Sequence, residues 1–392
     1  MQNVYIEKNK CCGCTACENI CPKSAISMQY DDYGYKYPVI NQEVCIDCGQ
    51  CQATCQFANP EIKDRYDVVK CYAIKHKNIN VIKQSRSAGA FTLLSNYILD
   101  NGGVVYGAAF NKVFHVAHIR ATTRTERDLL RKSKYVQSDL KDVFASVLND
   151  LKNDFTVMFT GTGCQCDGLR AFLLQKKCDV SKLILVDIIC HGVPSPIMFE
   201  EYIKWNEKRA KSKLTDFEFR DKNKFSWGEG VERLSFENGK VIFQDYFTGY
   251  IFDYLIRPSC YNCKYTTPYR NSDITLGDFW GSENSTPEFT DRKNGCSLML
   301  LHSERAQFIF NEIKKDSFYK RIDIKDCLQP RLCRPREFNQ FSEKLCENYK
   351  TKGFGYIMKK FAKNSYSKSN LFCKKTIRII KLPMGIVRRL MK

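Results

Sequence analysis

The sequence has no long apolar run that could direct the chain across a membrane. No part of the 392 residues approaches 18 consecutive apolar residues, about the length that a transmembrane helix requires. The first ten residues are polar and charged, so we expect no secretory signal peptide. These absences argue against an exported or membrane-spanning protein, and we expect a cytoplasmic one.

Two common binding motifs are also missing. The nearest approach to the dinucleotide fingerprint G-x-G-x-x-G is GTGCQC at residues 161–166, which fails at its last position. A Rossmann dinucleotide domain is therefore not supported. No DNA- or RNA-binding motif accompanies the net charge of +19, so we expect no nucleic-acid partner.

Acidic residues are absent from the end of the chain. Residues 351–392 contain nine Lys, three Arg and no Asp or Glu, so this basic tail carries +12 of the net charge of +19. Such a tail is compatible with peripheral contact at the inner face of an anionic membrane, where each cation contributes about 1 kcal/mol. Pro383 interrupts the tail and no regular apolar stripe emerges, so a solvated tail is an equal alternative.

Cysteine, in contrast, is abundant, with 21 residues, and eight of them form two copies of one pattern. The pattern is C-x2-C-x2-C-x3-C, which is typical of bacterial ferredoxins with two 4Fe–4S clusters. Three close thiolates bind three irons of a cubane, and the fourth iron takes its ligand from the other run. The runs are Cys11, Cys14, Cys17 and Cys21, followed by Cys45, Cys48, Cys51 and Cys55.

This crossed ligation predicts that Cys21 serves the second cluster and Cys55 the first. A zinc or disulfide framework is the alternative, but zinc sites use two C-x2-C pairs without a third close thiolate. Gln56, rather than proline, follows the second run and leaves its turn less fixed. Most of the other cysteines have no framework spacing, which indicates a reducing compartment.

Beyond residue 70 the chain alternates between predicted strands and helices, which is typical of an α/β protein. Asn238-Gly239 predicts a hairpin turn within a β-rich stretch. The predicted strands are 104–110, 155–159, 183–189, 233–236 and 240–244, and the predicted helices are 89–99, 140–151, 169–176 and 304–315.

A second group of four cysteines is predicted to converge. Cys260 and Cys263 form a C-x2-C pair, while Cys164 and Cys190 each follow a predicted strand. Strand ends meet at one edge of an α/β sheet, so four thiolates can meet there. By itself the pair is also compatible with half a zinc site or a redox dithiol.

Residues 85–90, SRSAGA, precede and open a predicted apolar helix. Free N–H groups at a helix start, hydroxyl donors and small residues suit a diphosphate. An ordinary N-cap serine and a packing glycine are the alternative interpretation.

Five sequence segments form a recognisable set of motifs, in a fixed order along the chain. They are 85–110, KYVQS at 134–138, FTGTGCQCDGLRAFL at 159–173, DIICHGVPSP at 187–196 and CYNCKYTTPYRNSDITLGDFWG at 260–281. Together they resemble the coenzyme F420 hydrogenase/dehydrogenase beta-subunit family, typified by the flavin-bearing beta subunit of the F420-reducing hydrogenase. The resemblance covers about residues 70–340 and is specific for the family, not for a substrate.

We therefore expect an α+β/α/β chain of three parts. The cysteine spacing gives a ferredoxin-like module with two 4Fe–4S clusters at 1–60, the resemblance implies a mixed α/β domain that binds FAD and a 4Fe–4S cluster at 66–345, and the charge distribution marks a basic helical tail at 351–392. The resemblance also implies that Cys164, Cys190, Cys260 and Cys263 hold the third cluster.

The family places FAD against residues 85–90. The candidate contacts are Ser85, Ser87, Gly89, Ala90, Lys134, Tyr135, Ser138, Thr160 and Thr162. His191 is expected either to supply a proton to a substrate or to support the cluster through a hydrogen bond. Asp273 and Asp278 flank a predicted strand and are candidate flavin or substrate contacts, with turn or N-cap roles as the alternative.

We therefore expect an iron–sulfur flavoprotein oxidoreductase. Electrons from a partner such as a ferredoxin would pass through 4Fe–4S clusters to FAD, which exchanges them in pairs with an organic substrate. Relatives use coenzyme F420 or other substrates, and some belong to surface-polysaccharide biosynthesis. The alternatives are an electron-transfer subunit of a partner enzyme and a redox sensor whose tail binds membrane or nucleic acid.

Overall fold

The computed structural model describes residues 4, 7–59, 69–245, 247, 251–291 and 293–360. The predicted linker beyond Asn59 and the basic tail from residue 361 onward lie outside these described residues. Within them, no helix combines the length and the apolar character needed to cross a bilayer.

The described strands are β1 (Ile26–Tyr30), β2 (Lys36–Ile40), β3 (Lys70–His76), β4 (Val104–Phe110), β5 (Val116–Ala121), β6 (Val157–Thr162), β7 (Leu183–Ile188), β8 (Leu214–Glu218), β9 (Glu232–Phe236), β10 (Val241–Gln244), β11 (Ile274–Asp278), β12 (Ser297–Leu301) and β13 (Ser317–Ile322). The described α-helices are α1 (Ala16–Ile20), α2 (Gln50–Thr54), α3 (Ile79–Lys83), α4 (Ala90–Asp100), α5 (Arg124–Asp128), α6 (Val143–Lys152), α7 (Gly163–Gln175), α8 (Pro196–Ala210), α9 (Phe252–Tyr254), α10 (Ser282–Ser285), α11 (Glu304–Ile313), α12 (Ile324–Cys327), α13 (Gln340–Lys352) and α14 (Phe354–Lys360).

Eight strands form a central sheet in the order β13-β3-β12-β11-β7-β6-β4-β5. The neighbours β4, β6, β7 and β11 run parallel, whereas the remaining pairs are antiparallel. The predicted mixed α/β architecture is confirmed. Because parallel strands end on the same side, the residues that follow β6, β7 and β11 meet along one boundary, the carboxyl edge.

Helices cover both faces of this sheet. Along β6, Met158 belongs to a core shared with α4 and α11, while Val157 and Phe159 belong to a core shared with α6 and α7. Alternate strand residues point to opposite faces, which explains this division. The run of β7 is buried except at Ile188, as expected for a parallel strand between helical layers.

Residues 7–59 form the N-terminal module, which contains the β1–β2 hairpin, α1 and α2. Both of its helices contact α7. Ala16 and Ile20 of α1 enter the same core as Leu169 of α7. The module therefore packs directly on the helix that starts at the carboxyl edge.

A three-stranded sheet, β10-β9-β8, lies beside α8, α13 and α14. The predicted hairpin is confirmed, because β9 and β10 are antiparallel and Gly239 has a φ of 79° in the turn between them. Phe199, Phe217 and Phe354 belong to the core of this region.

The predicted helix at 169–176 is longer in the structure, because α7 begins at Gly163. Thr162 and Gln165 form a capping box that satisfies the first turn. That turn, GCQCDG, lacks the apolar spacing by which helices are recognised. The difference matters because it places Cys164 in the first turn of a helix.

At Gly168, α7 packs tightly against Cys14 of the N-terminal module. A Cβ there would lie 2.8 Å from the Cβ of Cys14 and 2.7 Å from its Sγ. Replacing glycine with alanine inside a helix usually stabilises by up to about 1 kcal/mol. We expect Gly168→Ala to destabilise by about 1–3 kcal/mol instead, because the module must move away from α7.

Thermal unfolding of anaerobically purified protein measures this effect. Gly355→Ala in α14 is the matched control, since Gly355 has no neighbouring atom within 4 Å of the added Cβ. We expect an unchanged or higher melting temperature for the control. Equal behaviour of the two variants would contradict the close packing at Gly168.

Candidate active site

A cavity of about 340 Å³ lies at the carboxyl edge of the central sheet. We call it the edge cavity. Its wall includes the ends of β6, β7 and β11, residues 85–90, the loop 130–138 and the 3-10 turn Pro258–Asn262. This volume is in the range of small-molecule sites.

The structure brings the sequence-predicted residues of the body together on this one wall. All nine candidate FAD contacts line the edge cavity, together with His191 and Asp278 and the four cysteines of the second group. The nine are Ser85, Ser87, Gly89, Ala90, Lys134, Tyr135, Ser138, Thr160 and Thr162.

Cys164, Cys190, Cys260 and Cys263 form what we call the third site. Burial raises the pKa of Cys190 to about 12, and the nearby thiols of Cys164 and Cys263 contribute to this shift. Burial and Cys164 likewise raise the pKa of Cys263 to about 11. Partly buried thiols close to one another, costly to ionise without a cation, suit a metal cluster that displaces their protons.

Cys164 differs from the other three thiols. A hydrogen bond with Cys12 is the main cause that lowers its pKa to about 7, and the Thr162 hydroxyl, 3.2 Å from its Sγ, and the Arg257 guanidinium contribute. Cys166, two residues on, faces the core, with its thiol 3.7 Å from the carbonyl of Val186. Cys164 and Cys166 therefore lie on different faces of α7: Cys164 lines the edge cavity, and Cys166 is buried in the core.

The N-terminal module contains two further groups of thiols, which we call the first and second sites. The first site comprises Cys11, Cys14, Cys17 and Cys55, and the second Cys21, Cys45, Cys48 and Cys51. Burial raises the pKa of Cys17 well above its usual value, and the other thiols of the first site, Cys55 included, raise it further. All four thiols of the second site line one small cavity.

This grouping has the crossed pattern expected from the spacing, with the last cysteine of each run beside the other run. Within the described residues, no three His, Cys, Asp or Glu side chains are arranged as ligands of a single metal ion. A cubane separates its four thiolates to four corners, so its ligands lie farther apart than those of one ion.

Cys12 and Arg257 join the first site to the third. The Cys12 thiol hydrogen-bonds with Cys14 and with Cys164. Arg257 is fully buried, and its Nε donates to the carbonyl of Cys11 at 2.8 Å while Nη2 lies 3.7 Å from the Cys11 Sγ. Its guanidinium also lies 4.3 Å from the ring centre of Tyr37. No carboxylate of the described residues forms an ion pair with Arg257.

Gln56 makes a second connection between the N-terminal module and the third site. Its amide Nε2 donates to the carbonyl of Cys164 at 2.8 Å, and its Oε1 accepts from the Tyr265 hydroxyl. That hydroxyl also lies 2.7 Å from Asp167, which accepts from Asn271. The residue that replaces proline after the second run therefore anchors its turn to the third site.

Residues 85–90 are held in place by their own polar groups. The Ser85 hydroxyl donates to the carbonyl of Val81 at 2.7 Å, and the Ser87 hydroxyl donates to that of Cys296 at 2.9 Å. Gly89 has a φ of 93°, and a Cβ there would lie 2.9 Å from His76. The serine hydroxyls therefore shape the loop, and the N–H groups at the start of α4 are the donors left for a ligand.

Asp278 is an anchor within the wall. Arg86 Nη2 lies 3.1 Å from its Oδ2, and the Trp227 Nε1 donates to its Oδ1 at 3.2 Å. Arg86 Nε also donates to the Tyr135 hydroxyl at 3.2 Å. The Asp278 carboxylate thus fixes an arginine of the 85–90 segment beside the cavity.

The other candidate FAD contacts also support the wall. Lys134 Nζ donates to two backbone carbonyls at 2.7 and 2.9 Å, and burial lowers its pKa to about 7. The Thr160 hydroxyl donates to the carbonyl of Tyr106 at 2.8 Å. Ser138 accepts from the Gln165 amide, whose Oε1 caps Thr162.

His191 lies at the cavity end of β7, next to Cys190. Burial lowers its pKa to about 4, and Arg336, Arg220 and Arg331 lower it further. The imidazole is consequently neutral near pH 7. Arg336 Nε donates to the His191 carbonyl at 3.0 Å and fixes the backbone here.

Asp273 proves to be structural. One carboxylate oxygen accepts from the N–H of Leu185 at 2.9 Å and the other from the Ser303 hydroxyl at 2.7 Å. The side chain is 3% exposed and connects the start of β11 to β7 and α11. The alternative of a structural aspartate, left open by the sequence, applies here.

The sequence interpretation missed several residues of this region: Cys12, Gln56, Arg220, Arg257, Arg331 and Arg336. Their contacts join segments that are far apart in the chain, so no local spacing identifies them. The weak signals available are that Cys12 adjoins the ligand Cys11 and that Arg257 stands three residues before Cys260.

Two family models match this chain. Residues 10–59 match the 4Fe-4S dicluster domain, and residues 155–326 match the family described as the C terminus of the coenzyme F420 hydrogenase/dehydrogenase beta subunit. The second range contains the whole third site and most of the parallel strands. No curated protein gives a significant match.

One solved structure is similar in outline. It is a xenon-derivatised structure of the F420-reducing [NiFe] hydrogenase complex from Methanosarcina barkeri. A chain of it aligns over 78% of this chain and 98% of its own length, with 16% identity and a TM-score of 0.49. Similarity at this level does not establish a common fold.

The family match over residues 155–326 includes the quoted segments 159–173, 187–196 and 260–281, whereas the segments 85–110 and 134–138 lie outside it. The recognition made from the sequence is confirmed at this level: the chain has a 4Fe–4S dicluster domain at residues 10–59 and a region similar to the C terminus of the coenzyme F420 hydrogenase/dehydrogenase beta subunit at residues 155–326.

Proposed function

We propose that this chain is an iron–sulfur flavoprotein oxidoreductase that transfers electrons through 4Fe–4S clusters and FAD to an organic substrate. One observation supports this function above the others. The edge cavity is lined both by four converging cysteine thiols and by a helix start suited to a diphosphate. A one-electron carrier and a flavin would thus share one cavity.

The cavity wall has groups that fit FAD. The first N–H groups of α4 and the guanidinium of Arg86 suit its diphosphate, and Gly89 and Ala90 allow close approach. When bound, FAD would convert between one-electron and two-electron chemistry. His191 lines the same cavity, and its imidazole, neutral near pH 7, would accept a proton or a hydrogen bond from a substrate there.

The order of the three sites supports a relay. Cys48 of the second site is exposed, so a partner such as a ferredoxin can approach there. The first site lies between, and Cys12 hydrogen-bonds with thiols of both the first and the third sites. An electron-transfer subunit that serves a separate enzyme would share this relay, and it would differ in lacking activity on its own.

Iron content tests the third site. Anaerobically purified protein should contain about twelve irons per chain. We expect Cys260→Ser and Cys263→Ser each to lose about four of them, because a cubane with three ligands is labile. Cys166→Ala is the matched control, since its thiol faces the core, and it should retain the full iron content. Full iron in the two serine variants would contradict the third site.

Flavin content tests the FAD site. The purified chain should retain about one FAD, which absorbance after denaturation measures. Arg86→Gln should weaken retention at least tenfold, about 1.4 kcal/mol, because it removes a cation and leaves the Asp278 carboxylate facing the site. Arg124→Gln, which breaks an exposed ion pair with Asp100, is the control. Flavin-free wild-type protein with all its iron would favour the electron-transfer subunit.

Arg257→Gln tests the link between the first and third sites. Reduction adds negative charge to a cluster, so a nearby buried cation favours the reduced form. We expect the midpoint potential of one module cluster to fall by up to about 59 mV, a tenfold change in a one-electron equilibrium. Anaerobic redox titration followed by electron paramagnetic resonance measures it, with exposed Arg321→Gln as control. Unchanged potentials would leave Arg257 a purely structural role.

A further inference from the structure

The wall of the edge cavity is strongly cationic. Among the described residues that line it, ten are Lys or Arg and one, Asp278, is acidic. The ten are Lys10, Arg86, Arg131, Lys132, Lys134, Arg220, Arg257, Lys264, Arg331 and Arg336. A cavity wall with this excess of cations attracts anions.

Six of these cations lie within ion-pair distance of a carboxylate, which balances part of their charge. The pairs, with N···O distances between 2.6 and 3.6 Å, are Lys10–Glu7, Arg86–Asp278, Arg131–Asp128, Lys132–Glu218, Lys264–Asp167 and Arg336–Asp253. Asp128 also pairs with Arg127 and Glu218 with Arg233, and Arg86 borders the start of α4, where we propose that the diphosphate of FAD binds.

Two of the other four cations, Lys134 and Arg257, already interact with groups of the protein. Lys134 is buried with its ammonium on two carbonyls and a pKa of about 7, so it is only partly charged near neutrality. Arg257 lies against Cys11 of the first site, where cluster thiolates would balance it. The two remaining cations are Arg220 and Arg331.

Arg220 and Arg331 both line the edge cavity, as does His191. Arg220 reaches Asp278 only at 4.0 Å, where Arg86 already holds the carboxylate, and its Nε is buried without a hydrogen-bond partner. Arg331 donates to the carbonyl of Arg334 at 3.1 Å and has no ion pair among the described residues.

Two guanidinium groups on one cavity wall, with only a distant and shared carboxylate between them, are costly to keep there unless an anion joins them. A guanidinium binds a carboxylate or phosphate through two parallel hydrogen bonds, which fixes the orientation of the ligand. Trp280 lines the cavity and stacks on Trp227 with ring centres 4.3 Å apart, so its ring can cover the organic part of such a ligand.

We propose that Arg220 and Arg331 bind an anionic group, a carboxylate or a phosphate, of the organic substrate and so place its reacting part beside His191. This assignment rests on the proposed function, because it takes the occupant to be the substrate of the flavin. The diphosphate of FAD instead belongs to the start of α4 and Arg86.

The test is isothermal titration calorimetry on the anaerobic, cluster-loaded chain, with inorganic phosphate and succinate as separate probes. We expect at least one probe to bind to the wild type. Arg220→Gln and Arg331→Gln should each weaken its binding at least tenfold. Arg334→Gln removes an exposed cation nearby and should change binding less than twofold. Phosphate binding alone indicates a phosphorylated substrate, and succinate binding alone indicates a carboxylate.

Flavin content, measured on the same samples, separates the possibilities. The proposal predicts that both arginine variants keep the flavin content of the wild type. Loss of flavin in Arg220→Gln or Arg331→Gln would overturn it, because these arginines would then hold the cofactor. Absence of binding by either probe, or equal weakening in Arg334→Gln, would also overturn it. Arginine-dependent anion binding in a flavin-free wild type would retain the anion site while refuting the flavin.

Discussion

The central constraint in this structure is the shared direction of β4, β6, β7 and β11. Because these strands are parallel neighbours, the residues after each of them emerge at one edge of the sheet. Cys164, Cys190 and Asp278 reach a common cavity for this reason, although more than a hundred residues separate the first from the last. The helix that begins at this edge, α7, then serves as the surface on which the N-terminal module packs.

Burial of charge explains why the module and the body are joined so closely. Arg257 comes from the body, yet its guanidinium is enclosed by Cys11, Lys36 and Tyr37 of the module. A buried guanidinium without a carboxylate is costly, and a nearby anionic cluster would offset that cost. The same reasoning draws attention to Arg220, which shares Asp278 with Arg86 at 4.0 Å, and to Arg331, which has no ion pair among the described residues.

The sequence predicts the parts of this arrangement that depend on local pattern. Ligand spacing identifies both cysteine runs, and long apolar runs identify β4 and β7 almost to the residue. β3 and β12 escape prediction, because runs as short as SLMLL do not distinguish a buried strand from a helix. Arg257 and Gln56 escape it too, since their contacts with Cys11 and Cys164 span 246 and 108 residues.

Gln56 illustrates how a departure from a familiar pattern can carry structural information. A proline at this position would fix the turn after the second run by itself but would offer no side-chain donor. The glutamine is 6% exposed and bonds both to the backbone of Cys164 and to Tyr265, which continues to Asp167 on α7. A turn that is free in an isolated ferredoxin is thereby tied to the third site, so the spacing between the two sites is set by buried hydrogen bonds and not by the linker.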